Sequence, residues 1–184
     1  MHPRDWQWSH VRSHEFEKRI FTPGLFLNDV GYLLTRIPWM IGAARDEKLG
    51  RPLIEKIMLV TTAVNECTYC AWYHAKAAVA SGLDAEEVRS LLDLQFDATA
   101  ADYESMALLY AQHYAETNRQ PEPQMTARLF DTYGKRTAQH IVLVIRMISF
   151  GNLMGNTWDA VLSHCTSRTE RVSEHPHAGQ GRIS

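Results

Sequence analysis

Asn65-Glu66-Cys67-Thr68-Tyr69-Cys70-Ala71-Trp72-Tyr73-His74-Ala75-Lys76-Ala77-Ala78-Val79-Ala80-Ser81-Gly82 is the stretch whose reading decides the fold. It is rich in alanine and contains no proline, and Ser81-Gly82 closes it with a residue free to take a left-handed cap. Asn65 is expected as the N-cap, and the helix is predicted over 66–80. On that helix Cys67 and Cys70 stand at i and i+3 and face one side. Their separation across one turn, roughly 5 to 6 Å, lies in the range a disulfide spans. His74 follows Cys70 by four residues, so the three side chains share a narrow stripe.

Outward from this segment the helical signal continues. Asp84 is expected to cap a short helix through Leu92, with Glu86 and Glu87 in its first turn. Upstream, Pro52 suits the first turn of a helix over about 53–63. Apolar residues recur at helical spacing from Leu25 to Arg45, with Pro38 as a kink or break. A short helix is expected over 12–20, before Thr22-Pro23-Gly24. Downstream, helices are predicted over 100–117, 124–133 and 135–164, with Gly134 as a break. No period-2 alternation and no Asn-Gly or Asp-Gly turn argues for a strand. The expected architecture is all-α: one single-domain helical bundle of seven to eight helices. Residues 1–24 read as an N-terminal arm, 25–166 as the domain and 167–184 as a mobile polar tail.

Composition narrows the function classes. The chain has 184 residues, 45% hydrophobic and 22% charged, which is globular. Its net charge of −2 offers no global basic field, so no nucleic-acid partner is expected. The longest apolar runs, such as Ile141–Ile145, are far short of a bilayer span, so no membrane partner is expected. The first residues carry no apolar leader, and a cytoplasmic location is the expectation. Three cysteines, two of them three residues apart, do not read as a secreted disulfide scaffold.

The chemistry of the stripe follows from its residue types. A thiol attacks peroxide or disulfide only as a thiolate. A helix N-terminus favours that negative charge, and a histidine can accept the proton. A carboxylate behind the histidine fixes its tautomer and raises its basicity. A second cysteine captures a sulfenic acid as a disulfide before it over-oxidises. Two other readings stay open on the residues alone. Zinc would take four ligands, with His74 as a third and only distant His164 and Cys165 to complete the set. Two inert buried thiols would also satisfy the pattern. Neither a metal nor a cofactor is the expectation.

Glu55, then eleven residues, then Cys67-x-x-Cys70-x-x-x-His74 resembles the core motif of alkylhydroperoxidase D-like proteins, in the carboxymuconolactone decarboxylase-like superfamily. Ala75-Lys76-Ala77-Ala78 and Gly82-Leu83-Asp84-Ala85-Glu86-Glu87-Val88 fit its following helix, glycine stop and acid-capped helix. The resemblance covers residues 25 to 110, and Phe150–Asn156 fits the last long helix less specifically. It implies an all-α homo-oligomer: a dimer, trimer or hexamer. It implies a thiol-dependent peroxidase or disulfide reductase acting on a small peroxide, with a dithiol or protein reductant. Cys70 would attack the peroxide, Cys67 would be the more exposed resolving thiol, and His74 with Glu55 would relay protons. Tyr69 stands where the best-known members carry a further histidine. The alternatives are a cysteine-independent lyase on the same fold and a non-enzymatic redox-sensing oligomer.

Several residues outside the motif carry expectations of their own. Glu66 reads as a solvated first-turn acid, with a role as carboxylate partner in place of Glu55 as the alternative. Trp72 and Tyr73 read as core or interface, against walling the site. Gly151 and Gly155, with Asn152 and Asn156 alongside, read as a close helix approach in the core, or next as a subunit interface. Arg146 inside an apolar run calls for a carboxylate partner or an exposed edge. His113, His140 and His164 read as surface or hydrogen-bonded histidines. Trp6 and Trp8 could pack an arm on a neighbour.

Overall fold

Residues 57–65 are all buried, a run that only a helix surrounded on every side can accommodate. That helix, α3 (Gly50–Asn65), is the axis of the molecule. The structure, a computed structural model, describes residues 18–97 and 103–173, with side chains through residue 164. Around α3 pack α4 (Thr68–Ala80), α5 (Ala85–Leu92), α6 (Tyr103–Glu116) and α7 (Pro123–Ser173). Helices α1 (Pro23–Thr35) and α2 (Ile37–Ala44) precede it. Seven helices and no strand occur among the described residues, which is the all-α bundle that the sequence predicts.

Most boundaries have a local cause. Thr22 caps α1 by accepting from Leu25 N, and the apolar stretch 25–45 breaks at Arg36. Pro38 lies just inside the new helix, where its missing N–H costs nothing. Asp84 caps α5 by accepting from Glu86 N, and Gly82 takes a φ of 104° behind α4. Gly134 has φ 75° and ψ 163°, a conformation closed to other residues, and it breaks α7 into two helical stretches.

Three sequence expectations change. Residues 18–22 are not helical; they lie along α7, with Asn156 Nδ2 donating to Arg19 O (3.1 Å) and Phe21 N donating to Thr157 Oγ1 (2.9 Å). Residues 1–17, with Trp6 and Trp8, lie outside the described residues. The last helix runs on through Ser173, beyond the end near 164 expected for it, and the residues after 173 lie outside the described ones. One window within 123–164 is long and apolar enough to cross a membrane by length and composition, although no single apolar run is; 56% of it is buried against the protein, as in a core helix.

Asp29 on α1 and Arg146 on α7 are paired. Asp29, buried on α1, takes a bidentate hydrogen bond from Arg119 at 2.5 and 2.6 Å. Arg146 reaches the same carboxylate at 4.0 Å and lies over the Tyr32 ring at 3.4 Å, so it finds the carboxylate its position calls for. His113 accepts from Glu122 N and closes the loop after α6.

Candidate active site

The turn between α3 and α4 is two residues long. Glu66 takes the left-handed conformation (φ 54°, ψ 35°) and Cys67 is extended, at the N-cap. Asn65 is therefore the last residue of α3 and not the cap of α4. The Cys67 sulfur takes the cap role itself and accepts from Cys70 N at 3.4 Å. Cys70 falls in the first turn, its Cα 5.3 Å from that of Cys67, and the two sulfurs are paired as a disulfide. Both face the positive end of α4, where a thiolate released by reduction is stabilised.

Behind the disulfide lies a histidine–carboxylate pair. His74 Nδ1 is 2.9 Å from Glu55 Oε2, across the α3–α4 contact. The other carboxylate oxygen, Oε1, accepts from Arg51 Nε at 2.8 Å, one turn earlier on α3. Burial by itself pushes the Glu55 carboxyl up. The hydrogen bonds and charges of His74 and Arg51 outweigh that burial and hold it below the ordinary glutamate range. Glu55 is thus an anion that orients the imidazole and steadies an imidazolium, as a carboxylate does behind a catalytic histidine. Helical spacing sets His74 one turn beyond Cys70 on the same face.

A lowered folded-state pKa means that the pair stabilises the protein above the unfolded glutamate pKa of about 4.3. That contribution is lost as the pH falls through the folded-state value. Glu55→Gln is therefore expected to destabilise the protein more at pH 7 than at pH 4, in urea unfolding monitored by circular dichroism. A stability difference that does not change with pH would contradict the ionised state of Glu55.

The residues around the motif sit partly where the sequence suggests. Glu66 is not in the first turn of α4, and its Oε1 is buried without a hydrogen-bond partner among the described residues. His74 takes Glu55, and not Glu66, as its carboxylate. Tyr69 is exposed and leans on Trp72, with ring centroids 6.1 Å apart; it makes no hydrogen bond to the His74–Glu55 pair. Tyr73 is exposed as well, contrary to a core reading, and Lys76 lies 4.1 Å over the Trp72 ring. His164 is exposed, and the Cys165 side chain lies outside the described residues. Among the described residues no cluster of three histidines, cysteines or acids could hold a metal.

Accessibility reverses one expectation. Cys67 is 2% exposed and Cys70 8%, so Cys67 is not the more exposed residue of the pair. The cause lies on α7. A Cβ built on Gly155 would stand 2.7 Å from the Cys67 sulfur and 3.7 Å from that of Cys70. The glycine backbone is the wall against which the disulfide rests. Next to it, Asn156 Nδ2 donates to Asn65 O at 2.8 Å and pins the end of α3 where the cysteine turn begins. Thr62 donates to Asn152 Oδ1 at 3.1 Å one turn earlier. Small residues at 151 and 155 with flanking asparagines signal a close approach of helices. Nothing in the spacing says that a sulfur is what approaches.

Residues 29–113 match the carboxymuconolactone decarboxylase family. This agrees with the superfamily that the Glu55–Cys67–Cys70–His74 spacing resembles. No curated protein and no solved structure matches the chain. The carboxymuconolactone decarboxylase match begins in α1, ends in α6 and contains all four motif residues. Gly155 and Asn156 lie beyond it, on α7.

Proposed function

We propose that this carboxymuconolactone decarboxylase-family chain is a thiol-dependent oxidoreductase, a peroxidase or disulfide reductase of the alkylhydroperoxidase type. The observation that carries the reading is the pairing of Cys67 with Cys70 at the N-terminus of α4, one turn from a histidine held by a buried carboxylate.

In the reduced protein His74 takes the Cys70 proton. The thiolate attacks one oxygen of a small peroxide and the O–O bond breaks. The leaving alkoxide takes the proton from the imidazolium and departs as an alcohol, leaving Cys70 as a sulfenic acid. The Cys67 sulfur then attacks the Cys70 sulfur. The hydroxyl leaves with the Cys67 proton as water, and the disulfide closes.

Reduction returns two electrons from a dithiol. Its thiolate attacks at Cys70, the less buried residue of the pair, and Cys67 is the leaving group. The Cys70 N–H and the α4 N-terminus stabilise that leaving thiolate, and a better-stabilised thiolate departs faster. The reductant's second thiol resolves the mixed disulfide and becomes its own disulfide. The chemistry needs a reducing compartment, in keeping with the cytoplasm.

The direct experiment adds cumene hydroperoxide to fully reduced protein and follows peroxide and free thiols together. One peroxide consumed per intramolecular disulfide formed is the expected stoichiometry. Peroxide loss with both thiols intact, or no loss above the protein-free rate, overturns the reading. Turnover of a lactone acid by protein with both cysteines replaced would favour the lyase alternative.

A further inference from the structure

A second histidine–carboxylate pair lies outside the thiol site. His140, 2% exposed on α7, has Nδ1 2.7 Å from Asp46 Oδ2 in the loop after α2. Thr137 and the Lys48 backbone also hydrogen-bond the Asp46 carboxylate. Nothing in the dithiol chemistry uses this pair. With Nδ1 facing Asp46, Nε2 is the ring nitrogen left for another hydrogen bond. Among the described residues Nε2 has no hydrogen-bond partner.

His140 forms one wall of an open cleft of about 520 Å³, with Trp39, Gly42, Lys135, Arg136 and Gln139. A Cβ on Gly42 would come within 3.2 Å of Nε2, so a side chain there would crowd the approach to that nitrogen. Trp39 meets the imidazole edge-on, with centroids 6.1 Å apart, and offers an apolar face. A neighbouring cleft of about 500 Å³ shares Lys135 and Arg136 and adds Arg45 and Lys48. Four cations thus gather where the acids are Asp46, already committed to His140, and Glu47. This local positive field stands against a chain with a net charge of −2. Lys135 and Arg136 also open the second stretch of α7, whose N-terminal N–H groups favour an anion.

We propose that this cleft binds a small organic carboxylate that carries an apolar body and a hydroxyl group. Arg136 and Lys135 take the carboxylate, with the guanidinium fork suited to both oxygens. Trp39 takes the apolar body. Nε2 of His140 hydrogen-bonds the hydroxyl. The site does not depend on the thiol chemistry, and it stands whether or not the protein reduces peroxides.

Mandelate, which has all three groups, and phenylacetate, which lacks the hydroxyl, are the probes, read by isothermal titration calorimetry on the full chain. Saturable mandelate binding is expected, at least tenfold tighter than phenylacetate. Arg136→Ala, at an exposed position, is expected to weaken both probes at least tenfold. Gly42→Ala places a methyl against Nε2 and is expected to erase the advantage of mandelate. No saturable binding, equal binding of the two probes, inorganic phosphate binding as tightly as mandelate, or full binding by Arg136→Ala would each overturn the proposal.

Discussion

Cys70→Ser is expected to consume peroxide no faster than buffer, whereas Cys67→Ser completes a first turnover and then fails. The difference follows from what each sulfur does. A serine hydroxyl at position 70 stays protonated at neutral pH and forms no sulfenic acid, so the His74–Glu55 pair has no nucleophile to serve. Replacing Cys67 leaves the attacking thiol, the α4 N-terminus and the His74–Glu55 pair intact. Its sulfenic acid then has no partner and proceeds to the irreversible sulfinic acid. Stopped-flow peroxide loss measures the first effect. Intact-protein mass spectrometry measures the second, as two added oxygens on the Cys67→Ser chain. Two variants of equal activity would remove the asymmetry that the mechanism requires. A wild-type rate in both would remove the cysteines from the chemistry.

Gly155→Ala is expected to shift the Cys67–Cys70 equilibrium toward the dithiol by about fivefold or more. A Cβ 2.7 Å from the Cys67 sulfur is far inside ordinary contact, and in the oxidised state the sulfur is tethered to Cys70 and cannot swing away. In the reduced state the free thiol can rotate off the methyl, so the strain falls mainly on the disulfide. Overpacking of this kind costs about 1–3 kcal/mol. Alanine returns up to about 1 kcal/mol of helix propensity in both redox states, so that gain cancels from the redox equilibrium. A difference of about 1.4 kcal/mol is tenfold in the equilibrium constant. Titration against a glutathione buffer reads this directly. Gly151→Ala is the control: nothing lies within 4 Å of a Cβ there, so the redox equilibrium should not move. Equal equilibria in wild type and Gly155→Ala would mean that α7 does not press on the disulfide.

These two experiments divide the molecule along the line between what the chain order reveals and what packing adds. Helical spacing put Cys67, Cys70 and His74 on one stripe, because the α-helix repeats every 3.6 residues whatever surrounds it. Thr22, Asp84, Gly82 and Gly134 marked boundaries, because caps and left-handed turns are chosen by local backbone chemistry. Residues 18–22 and Asn65 did not follow local preference. The first lie against α7 through Asn156 and Thr157, and the second is held at the end of α3 by the same Asn156.

The candidate site divides in the same way. The sequence by itself determined an all-α chain, a close cysteine pair at a helix start, and a histidine with an upstream glutamate at superfamily spacing. Arg51 was within reach too, since it stands one helical turn before the Glu55 it bonds. Only the tertiary structure decided that Glu55, and not Glu66, holds His74, that Cys67 is the more buried cysteine of the pair, and that Gly155 is the wall behind its sulfur. It alone joined Asp46 to His140. The physical reason is that each of these contacts joins different helices or a helix and a loop, and all but the first link distant parts of the chain. Helical periodicity says which face a side chain takes; only the packing of one helix on another says what that face meets.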